Sequence, residues 1–298
     1  MNTKIEAQGL AMNLNYINIK QVSEVQDLPL LFSHFFDNRQ PGQIFYTDRE
    51  RNQTIMVIRS ALSIQGKSNQ FTIKALTSLG QSLLPIIAKR LDIFAELKLE
   101  AKMITGTFPE ITYPAVLDQR VLQNPIRLLL SQCFFEIEEI KQFFSGGILG
   151  LFAYDLIDTL EQLPKPQIDL LQEPDYLFYL PEEFILQDEQ GMFSYLLSGE
   201  FSNPKPLEGT FSLENLKSEL SFSEFARKVE QLKQHIEAGD IFQAVVGRFL
   251  QAKCQGNPYS VFLNLLRTTC APYCYFITDE QGAMFGVSPE IAVRVEQK

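Results

Sequence analysis

Four short polar segments cut the chain into β-rich runs, and no other feature restricts its fold as tightly. They are Asp48–Gln53, Gly66-Lys67-Ser68-Asn69, Asp188-Glu189-Gln190-Gly191 and Asp279-Glu280-Gln281-Gly282. Glycine, asparagine and aspartate at such positions supply the turn geometry that closes hairpins. The runs beside them are Gln43–Thr47, Thr54–Ser60 continuing into Ala61–Gln65, Phe71–Leu76, Phe184–Leu186, Phe193–Leu197, Pro272–Thr278 and Ala283–Val287. Residues 43–76 are therefore expected to form an antiparallel meander. Ile148–Asp155, Tyr176–Leu180 and Ile241–Gln251 read as further strands.

Helical periodicity separates these runs. Ser82–Leu99 is expected to be a helix with Pro85 near its start, where a missing N–H does least harm. Leu122–Phe144 repeats apolar residues at Leu128, Leu129, Cys133, Phe134, Ile137 and Ile140 behind Asn124-Pro125, a cap followed by a first helical residue, and Gly146-Gly147 ends it. Residues 199–220 are polar, with Pro204 and Pro206, and are read as a linker. Beyond them Ser221-Phe222-Ser223-Glu224 fits a capping box, and Phe225, Val229, Leu232 and Ile236 form one apolar stripe that ends at Gly239. A helix is also expected from Asn257-Pro258.

Composition narrows the function classes. The chain has 298 residues, a net charge of −10 and a pI of 4.9, with no basic run interleaved with aromatics, so nucleic acid is excluded as an expected partner. The run Gly146–Ile157 is too short to span a bilayer and contains Asp155. The N-terminal MNTKIEAQGL has no secretory pattern, so the four cysteines are expected to be reduced thiols of a cytoplasmic protein. Their spacing, with isolated His34 and His235, does not suit zinc. No P-loop, nucleophile elbow or zincin motif is present. Asp240 fits a turn role, and Glu290, behind Ser288-Pro289, is equally compatible with a buried structural role and a site role.

The C-terminal third carries a resemblance. Gly239-Asp240-Ile241-Phe242-Gln243-Ala244-Val245 with Arg248-Phe249, then Pro272-Tyr273 with Cys274-Tyr275-Phe276, then Gly286-Val287-Ser288-Pro289-Glu290, are similar in order to motifs of the chorismate-utilising enzymes. Phe152–Leu156 with Glu161-Gln162-Leu163-Pro164 matches a mid-chain segment of the same family. Thr54–Ile64 and Phe71–Leu76 resemble the regulatory-domain strands of anthranilate synthase component I. The resemblance implies an α+β fold of two packed antiparallel sheets with outer helices, incomplete at the C-terminus. It also implies a regulatory-type domain over 20–198, the linker over 199–220, and the start of a chorismate-binding domain over 221–298.

By the same resemblance, chorismate and glutamine or ammonia would become anthranilate and pyruvate in tryptophan biosynthesis, a lyase reaction. Mg²⁺ and a glutamine amidotransferase subunit would take part. The family's metal-binding and catalytic motifs have no counterpart in this sequence, so no catalytic or metal-binding residue is assigned and the chain alone is expected to be inactive. Aminodeoxychorismate synthase component I, and a non-catalytic module binding an amidotransferase or an amino acid, are the alternatives. The family's feedback site for L-tryptophan maps onto Tyr46, Thr47, Gln53, Pro272, Tyr273 and Cys274. Tyr46 stands where the family has an acidic group, and losing that partner of an ammonium should weaken binding by about 1.5–3 kcal/mol.

Overall fold

The structure, a computed structural model, describes residues 18–23, 25, 27–110, 119, 124–133, 137, 140, 142–161, 173–205 and 209–294. The chain divides into two compact units, Met1–Leu207 with Phe262–Lys298, and Glu208–Val261. This differs from the expected division at 198 and 221, because the chain returns to the first unit at Phe262.

In chain order the first unit runs β1 (Asn18–Gln21), α1 (Leu28–Ser33), β2 (Ile44–Asp48), β3 (Gln53–Lys67) and β4 (Gln70–Ala75). It continues with α2 (Ser78–Leu91), β5 (Glu96–Glu100), β6 (Met103–Thr107), α3 (Pro125–Cys133) and β7 (Leu149–Phe152). A 3-10 turn at Tyr154–Thr159 precedes β8 (Tyr176–Asp188) and β9 (Gly191–Leu196). The second unit holds β10 (Phe211–Ser218), α4 (Phe222–Glu237) and β11 (Leu250–Gly256). Helix α5 (Pro258–Thr268) leads back to β12 (Tyr273–Thr278) and β13 (Ala283–Ser288). The fold is α+β, with one eleven-stranded and one two-stranded antiparallel sheet.

The large sheet is organised by its two longest strands. β3 and β8 pair along most of their length, with irregularities between Val57 and Leu62. The first half of β3 pairs with β2 and the second half with β4, so the sheet carries two wings on one spine. Bulges bend and twist a strand, which lets the wings diverge at this point. Leu62, Ile64, Ile73, Leu84, Ile87, Leu129, Tyr179, Leu180 and Phe184 share one buried core beneath α2 and α3.

Several expected boundaries are corrected. The two strand readings in 54–65 are one strand, as are those in 176–186, because apolar residues on both faces are covered. Helix α2 begins at Ser78, where the Thr77 side chain accepts from Gly80 N, which leaves Pro85 inside the helix. It ends at Leu91, and Leu97 and Leu99 lie in β5, paired with β6. The expected helix over 122–144 is described as α3 alone, capped by Asn124, whose Oδ1 accepts from Ile126 N and Arg127 N. The expected strand from Ile148 gives way to the 3-10 turn at Tyr154. Strand β10 lies inside the expected linker, and Ile241–Phe249, expected as a strong strand, belongs to no sheet. Residues 122–123, 134–136, 138–139 and 141, Gln162–Pro164, Pro206 and 295–298 lie outside the described residues.

The second unit is held by the antiparallel β10–β11 pair and by α4, whose Ser221–Glu224 capping box forms as the sequence predicts. None of its described residues from 209 to 258 is buried.

Candidate functional site

Strand β2 lies between β3 and β12, and this arrangement brings five of the six expected effector-site residues onto neighbouring strands. Asp48 is opposite Gln53 and Tyr273, Thr47 is opposite Thr54 and Cys274, and Tyr46 is opposite Ile55 and Tyr275. Strand side chains alternate between faces, so these six do not line one surface. Tyr46, Gln53 and Tyr273 share a face with Asp48. Thr47 and Cys274 share the other, where the Thr47 and Thr54 hydroxyls hydrogen-bond at 2.9 Å and Cys274 is fully buried. Burial raises the Cys274 thiol pKa. Pro272 precedes β12, and its carbonyl accepts from Arg49 N at 2.9 Å.

On the first face the strand ends carry a charged cluster. Asp48 is only 3% exposed. Its Oδ1 accepts from Glu50 N and Arg51 N in the turn after β2, and its Oδ2 accepts from Arg294 Nη2 at 2.6 Å. The Arg294 guanidinium also lies 6.0 Å from the centroid of the Tyr273 ring, within reach of a cation–π attraction. Tyr273 donates its hydroxyl to Glu50 at 3.0 Å, and this hydrogen bond is the main cause of its raised pKa. Burial, then the Asp48 charge, raises that of Tyr46. Arg49 fastens the turn to the segment before β12 by donating to the carbonyls of Leu266, Thr269 and Ala271.

Asp48, Glu50 and Arg294 therefore join Tyr46 and Tyr273 in a site that the expected residues only partly define. An aspartate closing a strand before a turn is a local signal for an Asx turn. Nothing local singles out Arg294.

A concavity of about 300 Å³ is lined by Leu151, Phe152, Leu177, Tyr275, Ile277 and Met284 among others. At the spine, Arg59 lies 3.7 Å from Glu182 and 3.4 Å from Glu183, two almost fully buried carboxylates. Glu183 also accepts from Ser202 N and Oγ, while Arg59 donates to the carbonyls of Ser198 and Glu200. The start of the expected linker is thus fastened to the first unit.

In the second unit, His235 Nδ1 lies 2.7 Å from Asp240 Oδ2, which pairs a histidine that the sequence leaves isolated with an aspartate that it reads as a turn group. Glu290 is exposed, which removes the reading of a buried structural hydrogen-bonder. Among the described residues no group of three or more His, Cys, Asp or Glu side chains is placed to hold a metal. No described helix is long and apolar enough to cross a membrane.

A family model described as chorismate binding enzyme matches residues 117–298. Anthranilate synthase component 1 of Vibrio cholerae serotype O1 is 30% identical over 277 residues, covering 84% of this chain and 52% of the relative. The corresponding protein of Buchnera aphidicola subsp. Rhopalosiphum padi is 26% identical over 309 residues, covering 94% of this chain and 59% of the relative. The crystal structure of anthranilate synthase component I from Streptococcus pneumoniae TIGR4 superposes with a TM-score of 0.51 at 18% identity, covering 80% of this chain and 50% of that one, a likeness of fold. The chain spans between half and three-fifths of the length of these relatives.

Proposed function

The chain belongs to the chorismate binding enzyme family, and on that premise we propose that it is a component 1 polypeptide of an anthranilate synthase. One observation carries this reading: relatives named anthranilate synthase component 1 align along 84–94% of the chain, including the strands that precede the family match. The reaction replaces the ring hydroxyl of chorismate with nitrogen from ammonia and then eliminates pyruvate, giving anthranilate, pyruvate and water. A glutamine amidotransferase subunit would supply the ammonia, and the cytoplasm is the compartment where these partners would meet. Mg²⁺ belongs to the reading by resemblance only.

On this reading the first unit supplies the amino-acid-responsive site, and the second opens the chorismate-binding region. The buried carboxylate of Asp48 is occupied by Arg294 and two turn amides, so the ammonium of tryptophan would have to displace Arg294 to reach it. That supports weak tryptophan binding for a reason other than the Tyr46 substitution. The 298 residues alone should not turn over chorismate, since a region with no buried side chain from 209 to 258 offers no preorganised site for transition-state charge.

The test is a covalent chimera in which this chain replaces the aligned part of the Vibrio cholerae relative. With chorismate, ammonia and Mg²⁺ it should give anthranilate by fluorescence and mass. Aminodeoxychorismate as the product, or no product from a folded chimera, would refute the reading. Calorimetric titration of the chain with L-tryptophan should show binding weaker than to the Vibrio cholerae protein.

A further inference from the structure

The concavity of about 300 Å³ belongs to the first unit alone, and both wings of the large sheet contribute to it. Leu151 and Phe152 of β7 and Leu177 of β8 come from one wing. Tyr275 and Ile277 of β12 and Met284 of β13 come from the other. None of the six expected effector-site residues takes part in this lining. Leu177 and Ile277 are buried, whereas Phe152, Tyr275 and Met284 are 53%, 39% and 43% exposed, so three large apolar side chains stand partly uncovered at one cavity. Apolar surface gathered in this way, rather than scattered singly, marks a place where a ligand is covered. Tyr275 is opposite Gly286, and a Cβ there would sit 2.8 Å from the Tyr275 hydroxyl, so glycine lets the ring lie across β13.

The charged side chains in this lining are two carboxylates, Glu173 and Asp279, and no basic side chain joins them. Asp279 Oδ1 accepts from Gln281 N and Gly282 N, which leaves Oδ2 without a hydrogen bond among the described residues. Lys67 donates to the main-chain carbonyl of Glu173, and Lys74 pairs with Glu280, so the two lysines that reach this region have other partners. Burial first, and then the charges of Asp279 and Glu280, raise the pKa of Tyr179, so negative potential extends into β8. Two carboxylates among apolar walls supply too few oxygens for a hard metal cation such as Ca²⁺, which takes about six to eight. An organic ammonium fits better. Its charge meets the carboxylates, its apolar body covers the walls, and the Phe152 and Tyr275 rings can add cation–π attraction. We infer that this concavity is a binding site for a small arylalkyl monoamine, with an ammonium on a short chain, one aromatic ring and no carboxylate. The volume lies at the low end for ligand pockets, which restricts the body to a single ring. A carboxylate on the ligand would face Glu173 and Asp279, which sets this class apart from chorismate, anthranilate and amino-acid zwitterions. The inference rests on the geometry of the first unit and not on the reaction assigned to the chain.

The test titrates the 298-residue chain, labelled with ¹³C-methyl methionine, with 2-phenylethylamine. The Met284 methyl resonance should shift saturably, while those of Met56 and Met192, buried in β3 and β9, stay in place. The Kd of 2-phenylethylamine should be about tenfold or more below that of 2-phenylethanol, its neutral counterpart, as expected for hydrogen bonds to a charged group. It should be lower by a similar factor than that of L-phenylalanine, which adds a carboxylate. Asp279→Asn keeps an oxygen for the turn amides, and it should raise the Kd of the amine at least fivefold without changing that of the alcohol. Glu173→Gln should do the same. Saturating L-tryptophan should leave amine binding intact, since the expected tryptophan site shares no residue with this cavity. Four results would each overturn the inference: no saturable shift at Met284, equal affinity for amine and alcohol, an unchanged Kd in both charge variants, or competition by L-tryptophan. The ligand series uses the parent chain, so it decides the matter even where a variant fails to fold.

Discussion

Arg294 donates to the Asp48 carboxylate at 2.6 Å, so a residue close to the end of the chain closes the site begun by β2. Asp48 is the more buried partner, and its other oxygen holds the turn amides of Glu50 and Arg51. Replacing it loses the ion pair and the turn bonds together, whereas replacing Arg294 leaves the turn bonds in place. Asp48→Ala should destabilise the chain by about 2–4 kcal/mol, within the range for breaking a buried charge pair and its hydrogen bonds. Arg294→Gln should cost clearly less. Urea midpoints of the two variants in one buffer check the order, and equal losses would contradict it.

Gly80 lies in the first turn of α2, where alanine ordinarily favours a helix by up to about 1 kcal/mol. Here a Cβ would sit 2.0 Å from the carbonyl oxygen of Ala61 in β3, a backbone atom that cannot swing aside. Gly80→Ala should therefore lower stability, by roughly 1–3 kcal/mol as overpacking does. A thermal melt at or above the parent Tm would show that the helix and strand can separate without loss.

Hairpins were legible from sequence because their turns are locally determined. Asp279 Oδ1 accepts from Gln281 N and Gly282 N, and Ser68 adopts a φ of 56°, as the turn before β4 requires. The capping box of α4 was legible for the same reason. Leu97 and Leu99 were not, since a short apolar alternation at the end of a helical pattern is decided by pairing with β6, which is tertiary. The strand assignment of Ile241–Gln251 rests on a pattern that only a neighbouring strand can satisfy. The site was half legible: strand periodicity alone separates Tyr46 from Thr47, whereas the meeting of Arg294 with Asp48 follows from β12 pairing with β2.

Adjacent Glu182 and Glu183 should respond in opposite ways to removal of their charge. Burial is the largest influence on Glu182 and raises its pKa, and its Oε2 has no hydrogen bond. A carboxyl whose folded pKa is raised contributes stability at low pH that is lost as pH rises through the folded value. Glu182→Gln should therefore gain on the parent protein between pH 4.5 and pH 7.5. Glu183 has both oxygens bonded to Ser202, and Glu183→Gln should lose about 1.5–3 kcal/mol, the range for hydrogen bonds to a charged group. Denaturation of both variants at the two pH values checks the contrast; a Glu182→Gln difference that shrinks with pH would reverse the sign.

The cysteines divide by burial, and one of them makes stability depend on alkaline pH. Cys133 is fully buried in α3, and burial pushes its thiol up to about 12, against a smaller opposing pull from Arg90. Above pH 9 the unfolded chain releases this proton and the folded chain keeps it. Stability present below pH 9 is thus lost as pH rises toward 12, at about 1.4 kcal/mol per pH unit. Tyr176 and Tyr179, whose pKa values burial also raises, add to the loss above pH 10. Cys133→Ala removes the thiol contribution alone, so its urea midpoint should fall less steeply than the parent's between pH 9 and 11. Iodoacetamide at pH 8 should label exposed Cys254 and Cys270 and leave Cys133 and Cys274 unmodified until the chain is unfolded. Parallel pH slopes for parent and variant, or labelling of Cys133 in the folded chain, would mean that the core around α3 admits water.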